Sequence, residues 1–130
     1  MINGFNEQTS PLTDYEQMTL LPLIVKGLQS KVGRRSSITN KQMCTAMQRR
    51  GYDLNEARLR KVINHIRTKG IIPCLIATSS GYYIATEQKE MEDYIESLEN
   101  RETAIREVRE AMKSQYSTMF QKNEQLVFDF

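Results

Sequence analysis

Apolar residues recur at helical spacing in three stretches of the chain. They then form a short β-rich block, and finally a seven-residue repeat within a long charged stretch. Thr13 and Glu16 make a capping box, which opens a helix carrying Met18, Leu21, Ile24, Val25 and Leu28 and running to about Val32. Pro22 lies inside it and should kink it or divide it in two, and Gly33 is placed to end it. Ser36-Ser37-Ile38 reads as a short extended segment. Thr39 with Gln42 opens a second helix through about Arg50, with Met43, Ala46 and Met47 as core filler and Gly51 as its stop.

A third helix starts either at Asp53, boxed with Glu56, or at Asn55, which would let Leu54 staple onto Leu59. Its stripe of Leu59, Val62, Ile63 and Ile66 is the buried face of an amphipathic helix, and Gly70 follows its last residue, Lys69. Ile71 to Ala77 and Tyr82 to Thr86 flank the turn Thr78-Ser79-Ser80-Gly81 and predict a β-hairpin. Pro73 puts its strand at an edge or a bulge.

From Glu87 to about Phe120 there is neither Gly nor Pro. Met91, Leu98, Ile105, Met112 and Met119 recur every seven residues. The other heptad position is weaker, with Ile95, Val108 and Tyr116 interrupted by Arg101 and Glu102 and a break expected near Asn100. This helix either pairs with a second copy, making a homodimer, or folds back on its own domain through Met91, Tyr94, Ile95 and Leu98. The expected class is mainly α (α+β). It divides into a fraying N-terminus (1–12), a helical domain with a hairpin (13–86), a long acidic helix (87–120) and a tail (121–130) of polar spacer and terminal peptide.

Length allows one modest domain with an appendage. The longest apolar run, Leu20 to Val25, is too short for a bilayer and contains Pro22, and no signal peptide is visible. Cys44 and Cys74 lack metal-ligand spacing and read as reduced, partly buried thiols of a cytoplasmic protein. An activated Ser, Cys or Lys neighbourhood, metal spacing and a Gly-rich phosphate loop are all missing, so neither an enzyme nor a cofactor is expected.

The formal charge of +2 hides a strong asymmetry. Residues 1–86 hold 12 Lys/Arg against 5 Asp/Glu, whereas 87–130 hold 6 against 11. Within 26–69 the balance is 12 against 2. A basic domain followed by an acidic arm suggests that one half meets a polyanion. Opposite the inward stripe of the third helix lie Ala57, Lys61, Asn64 and Thr68, flanked by Arg58, Arg60 and His65, with Asn55 at its start. Ala57 permits close backbone approach, Asn64 suits an adenine edge, and Lys or Arg suits guanine or phosphate. Arg34, Arg35, Arg49, Arg50, Arg67 and Lys69 surround that face and suit the phosphate backbone. Residues 71–86 contain no Lys or Arg, so Thr78, Ser79 and Ser80 would have to make any hairpin contact.

The order helix, helix, turn, helix, hairpin, with Leu59, Val62, Ile63, Ile66-Arg67, Gly70-Ile71 and Gly81-Tyr82-Tyr83-Ile84, resembles winged helix-turn-helix proteins over about residues 13–86. The resemblance implies that the third helix enters the major groove of double-stranded DNA. Gln125-Leu126-Val127-Phe128-Asp129-Phe130 looks like the peptide by which bacterial replication proteins dock on the polymerase sliding clamp. Gln125, Leu126 and Phe130 match that pattern, and Phe128 stands where Leu is usual. The whole arrangement resembles small winged-helix proteins of phage and prophage replication modules, which implies a replication accessory. A dimeric transcriptional regulator and a protein-interaction adaptor without DNA binding are the other classes that fit.

Overall fold

A computed structural model describes residues 10–128, with side chains described from 10 to 121. The fold is mainly helical, with one two-stranded antiparallel hairpin and a long C-terminal helix. Two compact units divide near Met91: a globular one up to that residue and a helical one from Glu92.

The first capping box is present: Glu16 N–H donates to Thr13 Oγ1 at 3.1 Å, and Thr13 N–H to Glu16 Oε1 at 2.8 Å. The chain then winds as a π-helical turn over Glu16–Leu20 before α1, Leu21–Leu28. Proline has no N–H to give and its ring crowds the carbonyl four residues back. Widening the turn just before Pro22 answers both problems, and the Leu21 N–H reaches back to Glu16 O. The expected division at Pro22 therefore takes the form of a change in winding. The extra residue also rotates the inner face, so that Glu16, Leu20, Ile24 and Leu28 point inward while Met18, expected there, is 79% exposed.

Helix α1 ends four residues short of the expected Val32. Gly33, in the left-handed region at φ 84°, leads into a 3-10 turn at Arg34–Ser36. Of the expected extended segment only Ile38 pairs, exchanging N–H···O bonds with Tyr82 at 3.1 and 2.8 Å.

Helix α2, Asn40–Arg49, carries the complete Thr39–Gln42 capping box. Met43 and Cys44 are buried and Met47 packs beside them, whereas Ala46 is exposed. Gly51, at φ 88°, turns the chain, and the Leu54 carbonyl accepts from Gln48 Nε2 at 2.8 Å and Cys44 Sγ at 3.5 Å. Helix α3, Glu56–Lys69, is capped by Asn55, whose side chain accepts the Arg58 N–H at 2.8 Å. That settles the two candidate starts. Leu54 and Leu59 are both buried, Asp53 N–H instead finds Tyr15 Oη at 3.1 Å, and Gly70 closes α3 in the left-handed conformation.

Strand β1, Leu75–Thr78, pairs with β2, Gly81–Ile84. Ile71 to Cys74 lie outside the ladder because the chain bends and turns there. Pro73 sits in the turn, and Cys74, at φ 59°, is exposed rather than partly buried. The far edge of β2 is covered by Ile38 and by Val32, with Ile84 N–H donating to Lys31 O at 2.7 Å. The core consists of Leu20, Ile24 and Leu28, of Leu59, Val62, Ile63 and Ile66, and of Ile72, Leu75 and Tyr82, with Met43, Cys44 and Leu54 sealing the side.

Helix α4, Gln88–Phe128, opens on Glu90, whose carboxylate accepts from Thr86 N–H, Thr86 Oγ1 and Glu87 N–H. It continues without a break at Asn100 and through 121–128, the stretch read as spacer and tail. Nothing there, neither Gly nor Pro, interrupts the good helix formers. No helix among the described residues is long and apolar enough to cross a membrane.

Candidate nucleic-acid interface

Because Leu59, Val62, Ile63 and Ile66 are all buried, the opposite side of α3 must face solvent. Asn64, Arg60, Thr68 and Lys69 are exposed there, and Ala57, Lys61, His65 and Arg67 are half-buried. Arg60, Lys61, Asn64 and Arg67 line one wall of a concavity of about 460 Å³, with Ile63 at its base and Ala77 and Tyr82 of the hairpin opposite. A second concavity of about 380 Å³ shares Arg60, Ala77 and Tyr82. It continues past Thr39, Asn40 and Lys41 to Thr78 and Ser79 at the hairpin turn. The two form one groove between α3 and the hairpin, closed at one end by the start of α2.

Hydrogen bonds fix the shape of the groove. Tyr82 Oη donates to Asn40 Oδ1 at 2.8 Å, and Asn40 Nδ2 donates to Glu56 O at 3.0 Å, joining hairpin, α2 and α3. Burial pushes the Tyr82 phenol above its ordinary value, against the opposing charges of Arg60 and Arg67. Arg67 Nε holds Leu75 O at 3.2 Å and so braces the hairpin to α3. Arg60 pairs with Glu56 at 3.8 Å, an exposed contact that a stronger anion can replace. Thr68 Oγ1 donates back to Asn64 O at 2.8 Å. At the turn, Ser80 N–H donates to Thr78 Oγ1 at 3.2 Å.

Other sequence candidates lie elsewhere. Asn55 spends its side-chain oxygen on the α3 cap. Arg58 turns away from the groove: its Nε donates to Glu16 Oε2 at 2.7 Å, and Nη1 and Nη2 donate to Ser10 O and Pro11 O, each at 2.9 Å. The expected fraying at 1–12 thus does not extend to Ser10 and Pro11, and residues 1–9 lie outside those described. Glu16 is 5% exposed, and the Arg58 guanidinium beside its carboxyl holds the carboxyl pKa below its ordinary value despite burial. Arg34 and Arg35 stand on the 3-10 turn, where the charge of Arg34 acts on Glu90. Arg49 and Arg50 are at the far end of α2, about 13 Å along the helix from Lys41.

Lys41, Asn40 and Tyr82 are groove residues that the sequence reading did not select. Lys41 was countable as charge. Its place became visible only once the start of α2 was set against α3. Along α4, Leu98, Ile105, Met112 and Met119 are exposed and Met91 is half-buried. The side chains of Gln125, Leu126 and Phe128, and Phe130 entirely, lie outside the described residues.

Among the described residues no group of three or more His, Cys, Asp or Glu is placed to hold a metal ion. No protein-family model, curated protein or solved structure matches this chain.

Proposed function

We propose that residues 13–86 form a winged helix-turn-helix domain that binds duplex DNA, and that the protein is a non-enzymatic accessory of replication in a phage or mobile element. One observation carries the DNA reading. The solvent side of α3 sets Arg60, Lys61 and Asn64 along a groove whose other wall is the hairpin, with Lys41 at its end. Amide and cationic side chains together on one exposed helix face suit base edges flanked by phosphates. The hairpin brings hydroxyls and no cations, so its contacts are hydrogen bonds that add little to the salt dependence.

Titrating Lys61→Ala, Asn64→Ala and the double variant against several duplexes tests this assignment. Each lost base contact is expected to cost about 1–3 kcal/mol, and each lost phosphate contact to lower the salt slope by about 1. Unchanged affinity and unchanged sequence preference in the double variant would refute the DNA face.

The clamp reading rests on the sequence of Gln125 to Phe130, whose apolar anchors and single amide suit a preformed groove. Removing residues 125–130 should abolish capture by an immobilised sliding clamp and leave DNA binding intact. DNA binding by the whole chain without clamp capture would favour the transcriptional regulator.

A further inference from the structure

We propose that the exposed apolar face of α4 is covered by the same face of a second copy running antiparallel to it. This interface lies wholly within the helical unit and does not depend on the DNA reading. Ile105 is 69% exposed, and Val108, Met112, Tyr116, Met119 and Phe120 are exposed with it. A single helix in water gains most of its stability from burying such a face, so a stripe this long calls for a cover.

Charge selects the occupant and its direction. At 100° per residue, Glu102 and Arg109 lie on the same flank of the stripe as Ile95 and Tyr116. In an antiparallel pair related by a two-fold axis, like flanks face each other. The register that sets Glu102 opposite the second copy's Arg109 also sets Ile95 opposite its Tyr116. Each contact then occurs twice. In the same register, residues 92–99, with four acids and no cation, run beside 112–119, where Lys113 is the only charge. A parallel pair would instead set 92–99 against its own copy and Arg101 beside Arg101. Glu102 and Arg109 would then stand next to Ser97 and Ala104 rather than opposite charges. Glu102, one of the charges that interrupt the heptad pattern, is thus one that an antiparallel pairing uses.

The test is a charge-reversal cycle in the full-length chain, read as dimer dissociation constant by analytical ultracentrifugation, with far-UV circular dichroism confirming the helix. Glu102→Arg alone and Arg109→Glu alone should each weaken the dimer about tenfold, because two symmetric pairs become repulsive at once. The double reversal should restore it. Additive losses in the double variant, or a wild-type chain monomeric at high micromolar concentration, would overturn the proposal. An independent readout uses a Cys74→Ser background, since Cys74 is the exposed native thiol. Ile95→Cys mixed with Tyr116→Cys should give a mixed disulfide dimer on oxidation, and failure of the mixture to cross-link would overturn the antiparallel register.

Discussion

Arg58→Ala is expected to destabilise the globular unit by about 3–5 kcal/mol, the cost of leaving a buried carboxylate without its partner. Arg58 was a DNA candidate by its place on α3, but its guanidinium closes on Glu16 and on the Ser10 and Pro11 carbonyls. A native domain is stable by about 5–15 kcal/mol, so this loss should be plain in a urea titration. The pH dependence adds a sign. In the wild-type chain the Glu16 pKa is lowered below 4.5, so its contribution is full above that pH and is lost as pH falls through the depressed value. Without Arg58, burial works against the Thr13 hydrogen bonds alone, so the depression of the Glu16 pKa is relieved. The variant should therefore lose less stability on mild acidification than the wild type does. A double variant, Glu16→Gln with Arg58→Met, should recover most of the loss at neutral pH, because an uncharged pair of similar volume avoids the buried charge and the Gln oxygen can still accept the Thr13 N–H. Equal denaturation midpoints for Arg58→Ala and wild type would show the pair to be dispensable.

The second large effect belongs to Gly81. Its φ is +123°, and a Cβ there would lie 2.5 Å from the Ile38 carbonyl carbon and oxygen and 2.8 Å from Thr39 N. Those atoms are backbone, and they belong to the Ile38–Tyr82 bridge and to the cap of α2. Gly81→Ala must push that segment away, so strain and overpacking together should cost on the order of 4 kcal/mol. Gly27 is the matched control: it lies in α1 with nothing within 4 Å of its would-be Cβ. Gly27→Ala should raise stability by about 0.5–1 kcal/mol. Thermal unfolding of the two variants should therefore shift in opposite directions, and a Gly81→Ala midpoint equal to wild type would mean that the hairpin is not seated on Ile38.

Local features of the fold were legible in the sequence because their causes are local. Both capping boxes join residues three apart, and the Leu59–Val62–Ile63–Ile66 stripe repeats within two turns. The Glu16–Arg58 pair spans 42 residues, and nothing in either neighbourhood announces it. Glu16 reads as a capping residue and Arg58 as one more cation on a basic helix. The π-helical turn escaped for a related reason. Pro22 announces trouble, but whether a helix kinks, breaks or widens there depends on what must be buried next, here Leu20, Ile24 and Leu28. The groove was half legible: the outward face of α3 follows from its inward stripe, whereas Lys41 and Tyr82 join it only through packing.

The separation of charge between the basic block of residues 26–69 and the acidic arm of residues 87–130 bears on how the protein behaves before any partner is present. A block with 12 Lys/Arg against 2 Asp/Glu and an arm with 6 against 11 make the chain a polyampholyte. In dilute buffer the Debye length is about 30 Å, so arms and basic faces of different molecules attract one another and favour association. Salt near physiological strength shortens that reach to about 8 Å and should loosen the association, a salting-in response opposite to that of a uniformly charged protein. Turbidity against ionic strength reads this directly. Nucleic acid that occupies the basic face should clear the solution at low salt in the same way.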